Sequence, residues 1–115
     1  MFTQVRSANR RVLPAEDNKH KVVIKAVYVV LEPQYQNSLT EAARAINGAN
    51  GPIGIDLCGY LIEELRNEKN YNDFSNDISK ADIFIASLIF IEDLAQKVVE
   101  AVTPYRDQLK AAVVF

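Results

Sequence analysis

The chain has 115 residues, 49% hydrophobic and 24% charged, with a net charge of -2 from well-mixed acids and bases, which excludes disordered and fibrous classes and the concentrated positive field that phosphate backbones select. No apolar run reaches the ~20 residues needed to cross a bilayer, and residues 1–20 lack the apolar centre of a signal peptide. Cys58 is the single cysteine, so no intramolecular disulfide or cysteine-based zinc site can form within the chain, and a reducing compartment fits best.

Residues 1–20 read as an N-terminal arm in which Arg6, Arg10 and Arg11 are balanced by Glu16 and Asp17 and then by Lys19, His20 and Lys21, a charge run expected to be solvated. Residues 21–115 read as one α/β domain. The run 22–31 is dense in β-branched residues and nearly continuous in apolarity, as in a strand covered on both faces. After a turn at Glu32, Pro33 and Gln34, the capping-box spacing of Ser38 and Glu41 predicts a helix from about Ser38 to Asn47, ended by Gly48. Residues 48–52 are a loop by composition, and Ile53, Ile55 and Leu57 alternate as a second strand.

A polar, Glu-rich segment follows Leu61 and Ile62. Tyr71, Phe74, Ile78 and Ala81 then share one face of a short helix that ends near Lys80. Residues 82–90 read as a third buried strand. Glu92 and Asp93 suit the positive N-terminal end of the next helix, whose inner stripe is Leu94, Val98, Ala101, Val102 and Tyr105. Pro104 either kinks that helix or restarts it with Thr103 as an N-cap, and Ala111 to Phe115 is a fourth strand.

The order β-α-β-α-β-α-β with right-handed crossovers predicts an incomplete doubly wound, flavodoxin- or Rossmann-like, mostly parallel sheet with helices on both faces. The apolar last strand, with nothing after it, suggests a truncated domain, because it would leave a sheet edge unprotected.

In such sheets ligands bind beyond the C-terminal strand ends, where the strand order reverses. That rim is expected to carry Glu32, Gln34, Tyr35 and Gln36 after the first strand, Cys58 and Tyr60 after the second, and Ser87, Glu92 and Asp93 around the third. Each also has a plainer explanation: helix-end electrostatics for the acids and half-buried packing for the tyrosines. Gly48, Gly51 and Gly54 precede a strand, whereas a phosphate loop follows one and opens a helix. The loop after the first strand contains no glycine to cradle a flavin phosphate, and the third strand offers Ser87 where a phospho-receiver needs Asp. His20, the one imidazole, precedes the first strand on the opposite rim and is not expected to serve as base or ligand. No catalytic or metal-binding set emerges from the residues.

Longer blocks carry more information than these spacings. Met-Phe-Thr-Gln-Val (1–5), Val-Tyr-Val-Val-Leu-Glu (27–32), Gln-Tyr-Gln (34–36), Gly-Tyr-Leu-Ile-Glu-Glu-Leu-Arg (59–66) and Phe-Ile-Ala-Ser-Leu-Ile-Phe-Ile-Glu-Asp-Leu-Ala (84–95) resemble the extreme N-terminus of the H subunit of magnesium chelatase, a relative of the large cobaltochelatase subunit. The resemblance covers essentially the whole chain. It implies a head-domain segment of a far larger subunit that binds protoporphyrin IX and Mg²⁺ as substrates. It also implies ATPase partner subunits, I and D, that drive insertion, and a porphyrin-binding accessory protein. Stripping water from a small hard cation and removing two pyrrole protons calls for oxygen ligands and a base. That machinery is expected in later domains, so no catalytic residue or cofactor is carried over to this segment. Its own role is expected to be scaffolding or docking, with an independent small-ligand module as the alternative. The compartment implied is a cyanobacterium-like cytoplasm or the plastid stroma, and a family-like start at Met1 without a transit peptide favours the former.

Overall fold

A computed structural model describes residues 10–14, 22–49, 51–87 and 92–114. The side chains of Arg10, Glu92, Asp93, Leu94 and Val114 are outside that description, as are His20 and the 88–90 end of the expected third strand. The described elements are β1 (Arg10–Val12), β2 (Val22–Val30), α1 (Pro33–Gly48), β3 (Ile53–Leu61), α2 (Glu68–Ile78), β4 (Ile83–Ala86), α3 (Glu92–Val102) and β5 (Ala111–Val114). Short 3-10 turns lie at Ile62–Arg66 and Thr103–Tyr105.

The five strands lie in the order β1-β3-β2-β4-β5. All neighbouring pairs are parallel except β1 with β3. Within the parallel part the first strand, β2, is flanked by the second and third, which is the flavodoxin-type order, and the connection reverses direction between β2 and β4. The expected mostly parallel α/β sheet is therefore present, with one strand more among the described residues than the sequence pattern indicates.

That extra strand corrects the reading of residues 10–12 as part of a solvated arm. Arg11 stands opposite Cys58 and Val12 opposite Leu57. Val12 is buried, and the Arg11 guanidinium donates Nε to Asp56 Oδ1 at 3.2 Å and Nη2 to Oδ2 at 3.0 Å. Three residues show no usable period, so only pairing to β3 makes them a strand. Where β1 stops short, Asn47 at the end of α1 occupies the edge of β3: its amide donates to Ile55 O at 3.0 Å and accepts from Ile55 N–H at 2.7 Å.

Helix α1 begins five residues before the predicted Ser38. Pro33 takes the first helical turn, where its missing N–H costs nothing, and Glu32 is extended at φ -126 and ψ 148. Ser38 is not an N-cap; its hydroxyl donates to Gln34 O one turn back, at 3.2 Å. β3 runs on to Leu61, beyond the alternation visible in its first half. The Glu64 carboxylate accepts the Leu61 N–H at 3.1 Å, and Asn67 caps α2 by accepting from Asn70 N–H at 3.1 Å. At the other end of the chain, Thr103 is neither a cap nor a restart. Its hydroxyl donates to Val99 O at 2.6 Å, and the helix tightens into a 3-10 turn that tolerates Pro104.

The sheet separates two cores. Val27, Val29, Cys58, Tyr60, Phe84 and Ala86 face α2 and α3, whose Phe74, Ile78, Val98 and Ala101 are buried against them. The Phe74 ring meets Tyr60 edge-on at 5.3 Å and Phe84 at 6.1 Å. On the opposite face Tyr28, Ala26, Val30 and Leu57 pack under Ala43 of α1. Asp82, just before β4, ties that strand to Lys25 within β2 and to Lys110 just before β5. Its carboxylate accepts the Lys25 N–H at 3.0 Å and meets Lys110 Nζ at 3.2 Å, and the Lys25 N–H holds it below the ordinary aspartate range.

Candidate functional site

The C-terminal ends of β2 and β4 meet at the point where the strand order reverses, and the chain leaves them through Glu32 and Ser87. Ser87 extends the parallel pairing by donating its N–H to Val29 O at 2.9 Å, and it is buried. Glu32, Gln34 and Tyr35 are exposed on the first turn of α1 directly beyond β2. Tyr35 retains 43% of its surface. The Tyr35 N–H donates to Glu32 O at 3.1 Å, which closes the first turn. The backbone of Glu92 and Asp93 opens α3, as expected; their side chains lie outside the described residues.

Three of the expected rim residues are elsewhere. Gln36 is fully buried on the inner stripe of α1 with Thr40 and Ala43, because a helix starting at Pro33 turns that position toward the sheet. Cys58 and Tyr60 are interior residues of β3 rather than loop residues after it, since the strand continues to Leu61. Both are buried on the face that receives α2 and α3.

There they join a polar cluster at Asp77, a residue that sequence reasoning did not single out. The Tyr60 hydroxyl donates to Asp77 Oδ2 at 2.5 Å and the Cys58 thiol to the same oxygen at 3.1 Å. Lys25 Nζ lies 3.8 Å from Asp77 Oδ1, and Lys25 stands in register with Asp56, the partner of Arg11. Two cations and two carboxylates thus balance beneath the C-terminal end of α2. The sequence signal was available: Lys25 interrupts an apolar strand, and Asp56, Cys58 and Tyr60 alternate at the period of one strand face.

Burial, then the hydrogen bond to Asp77, pushes the Cys58 thiol up to about 12 and raises the Tyr60 phenol well above its usual range. A thiol held protonated in this way is a poor nucleophile near neutral pH. The cluster gathers two neutral donors and the Lys25 ammonium around the Asp77 carboxylate, which ties α2 to the sheet. Among the described residues, no three His, Cys, Asp or Glu side chains converge to hold a metal ion, and no helix is long and apolar enough to cross a membrane.

The comparisons with known proteins bear on the whole chain. A family described as a domain of unknown function, DUF3479, matches residues 25–115. Two rice proteins, each named magnesium-chelatase subunit ChlH, chloroplastic, from Oryza sativa subsp. indica and subsp. japonica, are 47% identical to it over 119 aligned residues. The alignments take in 100% of this chain and 9% of either relative, so the chain spans about a tenth of their length. The chain belongs to the DUF3479 family, and its likeness to the N-terminal segment of the magnesium-chelatase H subunit extends over its full length.

Proposed function

We propose that this chain is the head segment of a porphyrin-binding chelatase H subunit and that it serves there as a docking scaffold rather than as the seat of metal insertion. The whole subunit, in this reading, binds protoporphyrin IX and Mg²⁺ as substrates and inserts the metal while the I and D partner subunits hydrolyse ATP, assisted by a porphyrin-binding accessory protein. The observation that carries the docking role is the exposure of Glu32, Gln34 and Tyr35 at the start of α1, beside the switch point. An exposed tyrosine flanked by polar groups is the kind of side chain that anchors protein interfaces, since it buries large area at little rotamer cost. The chloroplast named for the rice relatives fits the plastid stroma among the two expected compartments.

The test is made on the full-length subunit carrying Tyr35→Ala together with Glu32→Gln. Docking predicts that assembly with the ATPase subunits weakens about tenfold, the size of a modest interface anchor, while porphyrin affinity stays at the parent value. The alternative, a small-ligand module at the same rim, predicts the reverse pattern. Loss of porphyrin binding with intact assembly would establish that alternative.

A further inference from the structure

Asn47 does for the edge of β3 what a paired strand residue would do. Its side-chain amide donates to Ile55 O at 3.0 Å and accepts from Ile55 N–H at 2.7 Å, so the last turn of α1 is tied to the sheet beyond the point where β1 stops. The next residue, Gly48, is the last of the helix and is exposed, and Ala49 is already extended at φ -79 and ψ 157. No backbone geometry calls for glycine at this position: a methyl group built there meets nothing within 4 Å, and its φ lies outside the left-handed region. Asparagine followed by glycine is among the least durable pairs in a polypeptide, because no side chain on the second residue screens its backbone nitrogen from the asparagine amide carbon.

We infer that Asn47 is a deamidation site and that its conversion undocks the end of α1 from the β3 edge. The Gly48 nitrogen loses its proton and attacks Asn47 Cγ; the Cγ–Nδ2 bond breaks, ammonia leaves with the proton, and a succinimide ring closes. Water then opens either ring carbonyl, giving aspartate or, with the main chain routed through the side chain, isoaspartate. The step needs no oxidant or reductant. The folded state slows the attack, since helical side chains lean toward the N-terminus, away from the nitrogen that follows, and both bonds to Ile55 hold the amide in place. It does not abolish the attack, because glycine is a poor helix former and terminal turns fray. The product is wrong for its place. A carboxylate has no N–H to give Ile55 O and sets oxygen against oxygen. It also puts negative charge at the negative end of a helix whose last turn carries no basic residue. Isoaspartate lengthens the main chain by a methylene, which breaks the helical repeat.

The experiment uses the full-length protein that carries this chain, aged in mildly alkaline buffer and mapped by peptide fragmentation that separates Asn47 from Asn50, which also precedes a glycine. Deamidation at Asn47 is expected in the folded protein at about one-thirtieth of its rate in urea, the factor that two ordinary hydrogen bonds impose. It is expected to fall several-fold in Gly48→Ala under both conditions, a variant that keeps the fold because its methyl meets open space. Undocking is read as amide hydrogen exchange over residues 53–57 of β3. That exchange is expected to rise about tenfold in Asn47→Asp, and in step with the deamidated fraction in the aged parent. An Asn47 that stays unconverted in the folded protein, converts as fast there as in urea, or converts equally in Gly48→Ala would overturn the inference. So would unchanged exchange over 53–57 in the deamidated parent, a measurement that stands even where Asn47→Asp fails to fold.

Discussion

Gly59 opens one of the sequence blocks that carries the family likeness, and the structure gives it a physical reason. A methyl group built there would lie 1.7 Å from Tyr28 Cζ and 2.1 Å from the Tyr28 hydroxyl oxygen. Carbon atoms in ordinary contact are about 3.5–4.0 Å apart, so the ring would have to retreat by about 2 Å. Tyr28 has no exposed surface and is enclosed between the sheet and α1. Backbone propensity alone favours alanine over glycine in a strand by roughly 0.5–1 kcal/mol. Overpacking opposes it at about 1–3 kcal/mol and occasionally more, and a displacement this large takes the upper end, about 3 kcal/mol. A chain of this length has a total stability of about 6–17 kcal/mol, so Gly59→Ala, at a net cost of about 2–2.5 kcal/mol, removes a substantial part of it and lowers Tm by about 8–10 °C. Thermal and urea unfolding of the single variants Gly59→Ala and Tyr28→Ala and of the double variant measure the effect. Tyr28→Ala alone leaves a cavity costing about 3–5 kcal/mol, and in the double variant the added methyl has room, so the combined loss falls short of the sum by at least about 1 kcal/mol. A neutral or stabilising Gly59→Ala, or strict additivity in the double variant, would refute the close-approach argument.

Alkaline pH tests the Asp77 cluster. Cys58 and Tyr60 both have folded pKa values above their unfolded values, so the native state holds their protons more tightly; this stability is fully present below about pH 8.5 and is lost as pH rises toward the folded values. The urea midpoint therefore falls between pH 8 and 11, and the fall is shallower in Tyr60→Phe; an unchanged slope in that variant would count against the assignment. At the sheet edge, Arg11→Ala is expected to cost under about 1 kcal/mol because its side chain is 44% exposed and the ion pair is screened. Val12→Asp is expected to cost more, about 1–3 kcal/mol, by burying a carboxylate against Leu57. Equal losses in urea unfolding would show that the ion pair rather than apolar burial holds β1.

Much of the architecture is legible in local pattern. The unbroken β-branched run of β2, the Tyr71, Phe74, Ile78 face of α2 and the Val98, Ala101 stripe of α3 declare themselves because their periods are those of the elements they form. Alternating strands and helices then imply the parallel sheet through crossover handedness, and the contiguous blocks disclose the family. The positions that depend on register or on contacts distant in sequence were not legible. β1 exists only because β3 offers it an edge. Gln36 is buried because the helix begins at Pro33 rather than Ser38, a shift of five residues that turns a rim residue inward. Cys58 and Tyr60 find Asp77 across 19 and 17 residues, and Gly59 is required only by a ring lying across it from β2. Periodicity reports which side of its own element a residue occupies; which neighbour waits on that side is decided by the packing of the whole sheet.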